Sequence, residues 1–234
     1  MLPHVVVHNA VSVDGRMDCF EADVGLYNFL ALIWKPDVML SSSNTILSWF
    51  DNELATETVK AEMEKIRSRT EKETQDRKQL LAVVDSRGKV KVWHKLLETN
   101  HWRDVVVLCS ESTPKEYLQF LDDIQIKYLI TGEEKVNFHQ ALERLASEYG
   151  AKVVRVDSGG TLNGILFREG LVNEVSVLIY PLLIGGETPR SIFCAKDLVS
   201  AEGVMKLKLI ETRKVRENLI WIRYGLERKG EEAV

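Results

Sequence analysis

A strand, a paired-glycine turn, a helix and a second strand follow one another between Lys152 and Gly186, and this succession constrains the fold more than any other stretch. Lys152 to Val156 reads as a short strand that runs into Asp157 and Ser158. Gly159-Gly160 follows, and an amphipathic segment begins at Thr161, with Leu162, Ile165 and Leu166 at i, i+3 and i+4 on one helical face. The apolar run Val175 to Ile184 has the length of a buried strand and ends at Gly185-Gly186. Two residues without Cβ let the backbone pass close to a ligand. A helix N-terminus offers unpaired N–H groups and the positive end of a dipole, which suits phosphate. The same residues also suit a tight strand-to-helix connection with nothing bound, and the dinucleotide fingerprint G-x-G-x-x-G is absent.

The rest of the chain repeats this alternation. His4 to Val13 is β-branched and apolar, a central strand closed by the Asp14-Gly15 turn signal. Asp23 to Trp34 reads as a helix with Asp23 as N-cap, an apolar stripe of Leu26, Leu30 and Ile33, and a stop at Pro36. Asp37 to Leu40, Leu80 to Asp85, Val105 to Cys109 and Gln125 to Ile130 read as further strands. Thr113 is placed as the cap of a helix with Pro114 at its first position, and Asn137 as the cap of a helix whose buried face is Phe138, Ala141, Leu142, Leu145 and Ala146. Val204 to Glu211 and Asn218 to Leu226 read as two antiparallel strands joined near Lys214 to Glu217. Strands alternating with helices predict βαβ units and a mostly parallel α/β sheet, finished by a C-terminal antiparallel hairpin. A single domain over 1–234 is expected, with a polar helical segment at 51–78 and a charged tail at 227–234.

Three segments carry a family resemblance: Asp157-Ser-Gly-Gly-Thr-Leu-Asn-Gly164, Glu169-Gly-Leu-Val-Asn-Glu-Val-Ser176 and Pro181-Leu-Leu-Ile-Gly-Gly186. Together they closely resemble the riboflavin-biosynthesis reductases, which include stand-alone archaeal and fungal enzymes and the C-terminal domain of the bacterial deaminase-reductase. The resemblance implies the dihydrofolate reductase-like fold, NADPH or NADH as cofactor, and hydride transfer to C1′ of a ribosylaminopyrimidine 5′-phosphate. It also implies site residues. Asp14 and Asp157 would be catalytic and, with Asn9 and Ser12, would meet the substrate. Ser158, Gly159, Gly160, Thr161 and Leu162 would hold the cofactor pyrophosphate, Thr45 would serve a cofactor-cradling loop, and Ser86 and Arg87 would meet its adenosine end. Asp157 would hold the ring-opened sugar or relay a proton; it also suits a carboxylate that caps the following helix. Arg190 suits the substrate phosphate or a plain surface position.

Two departures stand out. Ser42 and Asn44 occupy places where the family's turn carries glycine, and the Asp-Asp-Pro segment that binds the ribose phosphate is not recognisable near Trp49, Asp51 and Asn52. They motivate one alternative, a paralogous oxidoreductase acting on another pterin or pyrimidine. A second alternative is a nucleotide-binding protein without turnover. Relatives in the family are dimers, so a homodimer is expected, with Val175 to Ile184 and the C-terminal hairpin as a shared edge.

Composition narrows the classes. A net charge of −4 argues against a nucleic-acid partner, which requires a basic surface. No apolar run reaches the roughly 18 residues of a membrane helix, and no signal-peptide pattern opens the chain, so a cytoplasmic protein is expected. Cys19, Cys109 and Cys194 are widely spaced and fit no disulfide framework or zinc site; each is expected to be a buried or half-buried side chain. His4, His8, His94, His101 and His139 lack the spacing of a zinc hydrolase or deaminase, so no metal is expected.

Overall fold

A computed structural model of the chain describes residues 1–51, 78–98, 101–187 and 190–227. All but the ends of the expected polar helix at 51–78, and all but the first residue of the 227–234 tail, lie outside the described residues. The chain forms two units. One comprises Met1–Pro3 and Asp23–Ser158, the other His4–Ala22 and Gly159–Val234.

The first unit carries five strands in the order β5-β4-β3-β2-β6: β2 (Val38–Ser42), β3 (Gln79–Val84), β4 (Trp102–Cys109), β5 (Lys127–Ile130) and β6 (Val153–Val156). Every neighbouring pair is parallel. Parallel strands are covered on both faces, which is why they read as unbroken apolar runs. Leu80 to Val83 and Val105 to Cys109 are fully buried. The described helices of this unit are α1 (Val24–Ala31), α2 (Ser43–Asp51), α3 (Trp93–Glu98), α4 (Lys115–Asp123) and α5 (Phe138–Tyr149). Met39, Ile46, Leu81, Val83, Trp93, Leu96, Val105, Val107, Tyr117 and Leu121 pack into one core on one side of the sheet.

The caps read from the sequence at Asp23 and Asn137 are formed: each side chain accepts from a backbone N–H three residues on, Leu26 and Gln140 respectively. Other boundaries moved. α1 stops at Ala31 and tightens into a 3₁₀ turn over Leu32–Trp34, because Pro36 disfavours helical backbone at Lys35, which turns left-handed (φ 48°). Ile33 therefore leaves the buried stripe and is exposed. Thr113 does not cap α4; its hydroxyl accepts from the N–H of Ser110, and Pro114 is the capping residue. α3 went unread because it is six residues long; Trp93 and Leu96 anchor it in the core.

The second unit carries β1 (His4–Ser12), β7 (Glu174–Tyr180), β9 (Leu219–Leu226) and β8 (Leu207–Arg216) in that order. β1 and β7 are parallel, and β9 and β8 complete the sheet antiparallel. Helix α6 (Gly160–Arg168) lies in this unit. β7 ends at Tyr180 rather than Ile184, since Pro181 has no N–H to continue a ladder. The hairpin turn falls at Glu217-Asn218, and β8 starts at Leu207 rather than Val204, because a 3₁₀ turn at Ala201–Gly203 precedes it. Cys19 is exposed with φ 62°, against the expectation of a buried or half-buried thiol, because it stands in an irregular loop rather than on a strand. Cys109 lies in the core, where burial pushes its thiol up to about 12.

Candidate active site

In the first unit the C-terminal ends of β2, β3 and β6 bear the residues singled out from the sequence. The backbone at the end of β6 is fixed from both directions: the N–H of Asp157 donates to Leu40 O at 2.9 Å, and the Ser41 hydroxyl donates to Asp157 O at 2.7 Å. The Asp157 side chain lies 3.5 Å from Arg155 Nη2 and accepts a hydrogen bond from the Tyr27 hydroxyl. Burial pushes its carboxyl above the ordinary carboxylate range, while Arg155 and Tyr27 pull the other way. Ser158 is buried.

At the end of β2 the turn is built without glycine. Ser42 Oγ lies 3.1 Å from Thr45 Oγ1 and accepts from the Thr45 N–H at 3.5 Å, a serine cap on α2. Neither Ser42 nor Asn44 is among the described residues with positive φ, so the family's glycines are not needed for this backbone. Asn44 accepts from Lys89 Nζ at 3.0 Å, which places a cation against the first turn of α2. Lys89 belongs to the turn after β3 that also holds Ser86 and Arg87. Buried Asp85 ties this turn down by accepting from the N–H groups of Lys89 (3.0 Å) and Val90 (2.8 Å) and from the Tyr117 hydroxyl (2.9 Å). Gly88 is required there. Its φ is +65°, and a Cβ would come within 2.6 Å of the Tyr117 ring. Arg87 is exposed above this staple.

In the second unit Asp14 is committed to its own loop. It accepts from the Ser12 hydroxyl at 2.5 Å, the Ile184 N–H at 3.2 Å and the Gly185 N–H at 2.7 Å. These donors, Ser12 foremost, lower its pKa to about 2. It is therefore ionised throughout the neutral range, and it clasps the end of the β7 segment to the end of β1. Ser12 also accepts from the N–H of Arg16 at 2.9 Å. Buried Asn9 accepts from Asn163 Nδ2 at 2.8 Å, and the same amide donates to Ile192 O at 2.9 Å. Arg190 pairs with Asp18 at 2.8 Å on the surface.

The two glycines of the central turn differ in purpose. A Cβ at Gly159 would meet nothing within 4 Å, so that side of the α6 N-terminus is open. At Gly160 it would lie 2.1 Å from Ser191 O, and at Gly164 2.2 Å from Cys194 O. Gly160 and Gly164 admit the 191–194 backbone across α6, where Cys194 N–H donates to Gly160 O at 2.9 Å. Leu162 is a core side chain, so only its backbone N–H can serve a ligand, whereas Thr161 is exposed. The first-turn N–H groups of α6 have no intrahelical acceptor, and the open face at Gly159 fits a phosphate-bearing group.

Sequence reading missed Arg155, Tyr27, Asp85, Lys89 and Asn163 as site neighbours. Arg155 did carry a signal, a lone charge inside Val153-Val-Arg-Val156, since a charge in a buried parallel strand requires a partner. Among the described residues no three-membered cluster of metal-ligating side chains forms, and no helix is long and apolar enough to cross a membrane.

The family model of the RibD C-terminal domain matches residues 3–221. The chain is 30% identical over 138 residues to the 2,5-diamino-6-ribosylamino-4(3H)-pyrimidinone 5′-phosphate reductase of Methanothermobacter thermautotrophicus, covering 59% of this chain and 62% of that one. It is 27% identical over 220 residues to the reductase of the same name from Archaeoglobus fulgidus, covering 90% of this chain and 94% of that one. The chain thus spans less than two thirds of some curated relatives and nearly all of another. Among solved structures it is similar to RibD of Acinetobacter baumannii (TM-score 0.71, 21% identity, 97% of this chain and 59% of that one). It is also similar to a riboflavin biosynthesis reductase of Saccharomyces cerevisiae (TM-score 0.64, 16% identity, 97% and 90%). At these identities the structures speak to the fold alone, and the mostly parallel α/β sheet with antiparallel C-terminal strands is the one expected from the sequence.

Proposed function

We propose that this chain, which belongs to the RibD C-terminal domain family, is a cytoplasmic reductase that converts the ribosyl group of 2,5-diamino-6-ribosylamino-4(3H)-pyrimidinone 5′-phosphate, or of its uracil analogue, to ribityl. One observation carries the reading: the family match runs through the Asp157-to-Gly160 segment, which holds a carboxylate and, two residues on, a glycine whose Cβ position is open. The reaction adds one hydride at C1′ and one proton, and the C1′–O4′ bond opens with O4′ leaving as a hydroxyl. A bound nicotinamide supplies the hydride.

The chain's own residues supply placement. The N–H groups of Gly160, Thr161 and Leu162 hold the pyrophosphate, with Ser158 and Gly159 shaping the turn. Thr45, in the serine-capped turn that opens α2 beside Lys89, serves the loop that cradles the cofactor. Ser86 and Arg87 meet the adenosine end; Arg87 and Lys89 on one turn favour NADPH over NADH, because a 2′-phosphate needs cations and guanidinium matches its geometry. Asp157 binds the opened sugar or moves its proton. Asp14, already ionised and hydrogen-bonded, keeps the 182–186 loop in place, with Asn9 and Ser12 fixing the strand end beside it. The serine-built β2–α2 turn is the observation that favours the second reading, a paralogue reducing another pterin or pyrimidine.

The assay is the loss of reduced-nicotinamide absorbance with the ribosylaminopyrimidine phosphate, run with NADPH and NADH in parallel. Turnover with NADPH ahead of NADH is expected. Binding of NADPH without turnover would transfer the assignment to the paralogue or the silent binder, and failure to bind either cofactor would sink the site assignment.

We also propose a homodimer built through β8. That strand exposes Leu207 (40%), Leu209 (52%) and Ile210 (49%), an apolar edge of the kind that another chain covers. Sedimentation of the wild type at twice the monomer mass, and of the Leu209→Asp/Ile210→Asp double variant at the monomer mass, is the expected result; a monomeric wild type would refute it.

A further inference from the structure

Arg155 is an anomaly in its strand. It stands in the middle of β6 between Val154 and Val156, both fully buried, and its own side chain is only 6% exposed. A guanidinium stays charged when desolvated, so its burial must be offset by partners. Those partners are Asn28 Oδ1 at 3.0 Å, the weak acceptor Met39 Sδ at 2.8 Å, and Asp157 Oδ2 at 3.5 Å, while Nε has none among the described residues. Asp157 is the single anion in this set. Asp157 follows the end of β6, two residues beyond Arg155, and the two side chains meet at 3.5 Å. From α1, the buried Tyr27 adds a second donor to the same carboxylate, and its ring lies 5.9 Å from the Arg155 guanidinium carbon.

The exposure is asymmetric. The cation is closed off, whereas the carboxylate remains 23% exposed. We infer that Arg155 and Tyr27 are positioning residues, which hold the Asp157 carboxylate in one orientation and leave its open edge for a ligand's hydrogen-bond donors. The inference rests on the reading of Asp157 as a site residue.

Among the described residues, the charged and titratable groups facing Asp157 are Arg155 from β6 and Tyr27 from α1. From β2 come the Leu40 carbonyl and the Ser41 hydroxyl, which bond the Asp157 backbone and carry no charge. Burial pushes Asp157 up, and Arg155 and Tyr27 restrain it. Burial, followed by the Asp157 charge, holds the Tyr27 hydroxyl well above its ordinary value, so it stays protonated as a fixed donor. Removing either donor must therefore raise the Asp157 midpoint further.

The test titrates ¹³Cγ-labelled aspartate in the full chain, with Asp157→Asn assigning the resonance, and records kcat/KM against pH in the reductase assay. In Arg155→Met the Asp157 midpoint is expected to rise by at least about one unit, a tenfold change in proton affinity. Tyr27→Phe should give a smaller rise, and Arg155→Lys should restore the wild-type value. The pH limb that vanishes in Asp157→Asn should move the same way. An unmoved midpoint in folded Arg155→Met would overturn the inference; if that variant fails to fold, an unmoved midpoint in Tyr27→Phe would do so. A shifted midpoint with a rate indifferent to Asp157→Asn would instead remove Asp157 from the reaction while leaving the positioning role intact.

Discussion

Replacing Asp157 by alanine lowers kcat of the proposed reduction by roughly 10²–10⁴-fold, the range in which a positioned acid–base group contributes. The effect falls on kcat more than on KM for the cofactor, because Asp157 is assigned to the substrate and the α6 N–H groups to the cofactor. Two features make the carboxylate hard to replace. Its backbone is pinned by Leu40 and Ser41, so its position does not relax. Its side chain is held by Arg155 and Tyr27, which the truncation leaves without their anion. Asp157→Asn retains the shape and loses the charge; an intermediate rate would separate hydrogen bonding from proton transfer. Steady-state kinetics with thermal unfolding in parallel decide the matter. A folded Asp157→Ala variant with wild-type kcat would remove this residue from the mechanism.

Gly164→Ala destabilises the second unit by about 1–3 kcal/mol, the usual cost of forcing an extra methyl into a packed site. Alanine improves helix propensity by about 1 kcal/mol over glycine, which would stabilise α6 if space allowed. Space decides the sign. The new Cβ would lie 2.2 Å from Cys194 O and 2.7 Å from its carbonyl carbon, and backbone atoms cannot swing aside as a long side chain can. The 191–194 segment would have to shift, taking with it the bonds from Cys194 N–H to Gly160 O and from Asn163 Nδ2 to Ile192 O. Gly159→Ala is the matched control, with φ −74° and nothing within 4 Å of the Cβ position. Its stability should stay within about 0.5 kcal/mol of wild type, while its KM for the cofactor rises, since the added methyl stands on the open face. Urea unfolding of both variants, with cofactor titration of the second, checks the pair. Equal stability of Gly164→Ala and wild type would show that the segment crossing α6 is not fixed there.

The central turn was legible because its signals are local. Asp157, the glycine pair and the apolar spacing of Leu162 and Leu166 specify strand, turn and helix within a dozen residues. The caps at Asp23 and Asn137 were legible for the same reason, since a cap bonds three residues away. Helix α3 was not, because its anchors Trp93 and Leu96 acquire meaning only against a core assembled from distant strands. The glycine pair shows the limit most plainly. Sequence treats Gly159 and Gly160 alike, yet one faces open space and the other a carbonyl thirty-one residues further on.

The sequence by itself determined the alternation of strands and helices, the parallel pairing of the apolar runs, the antiparallel C-terminal strands and the family. These follow from residue periodicity and short-range bonding. Tertiary structure alone decided how the acidic residues are used. Asp14 accepts from Ser12, two residues away, and from Gly185 and Ile184, 171 and 170 residues away, and these donors, Ser12 foremost, bring its pKa down to about 2. Burial drives Asp157 up, against the opposing pull of Arg155 and Tyr27. The two carboxylates have the same intrinsic acidity, and what separates them is the number of donors and the amount of water that the folded chain leaves around each.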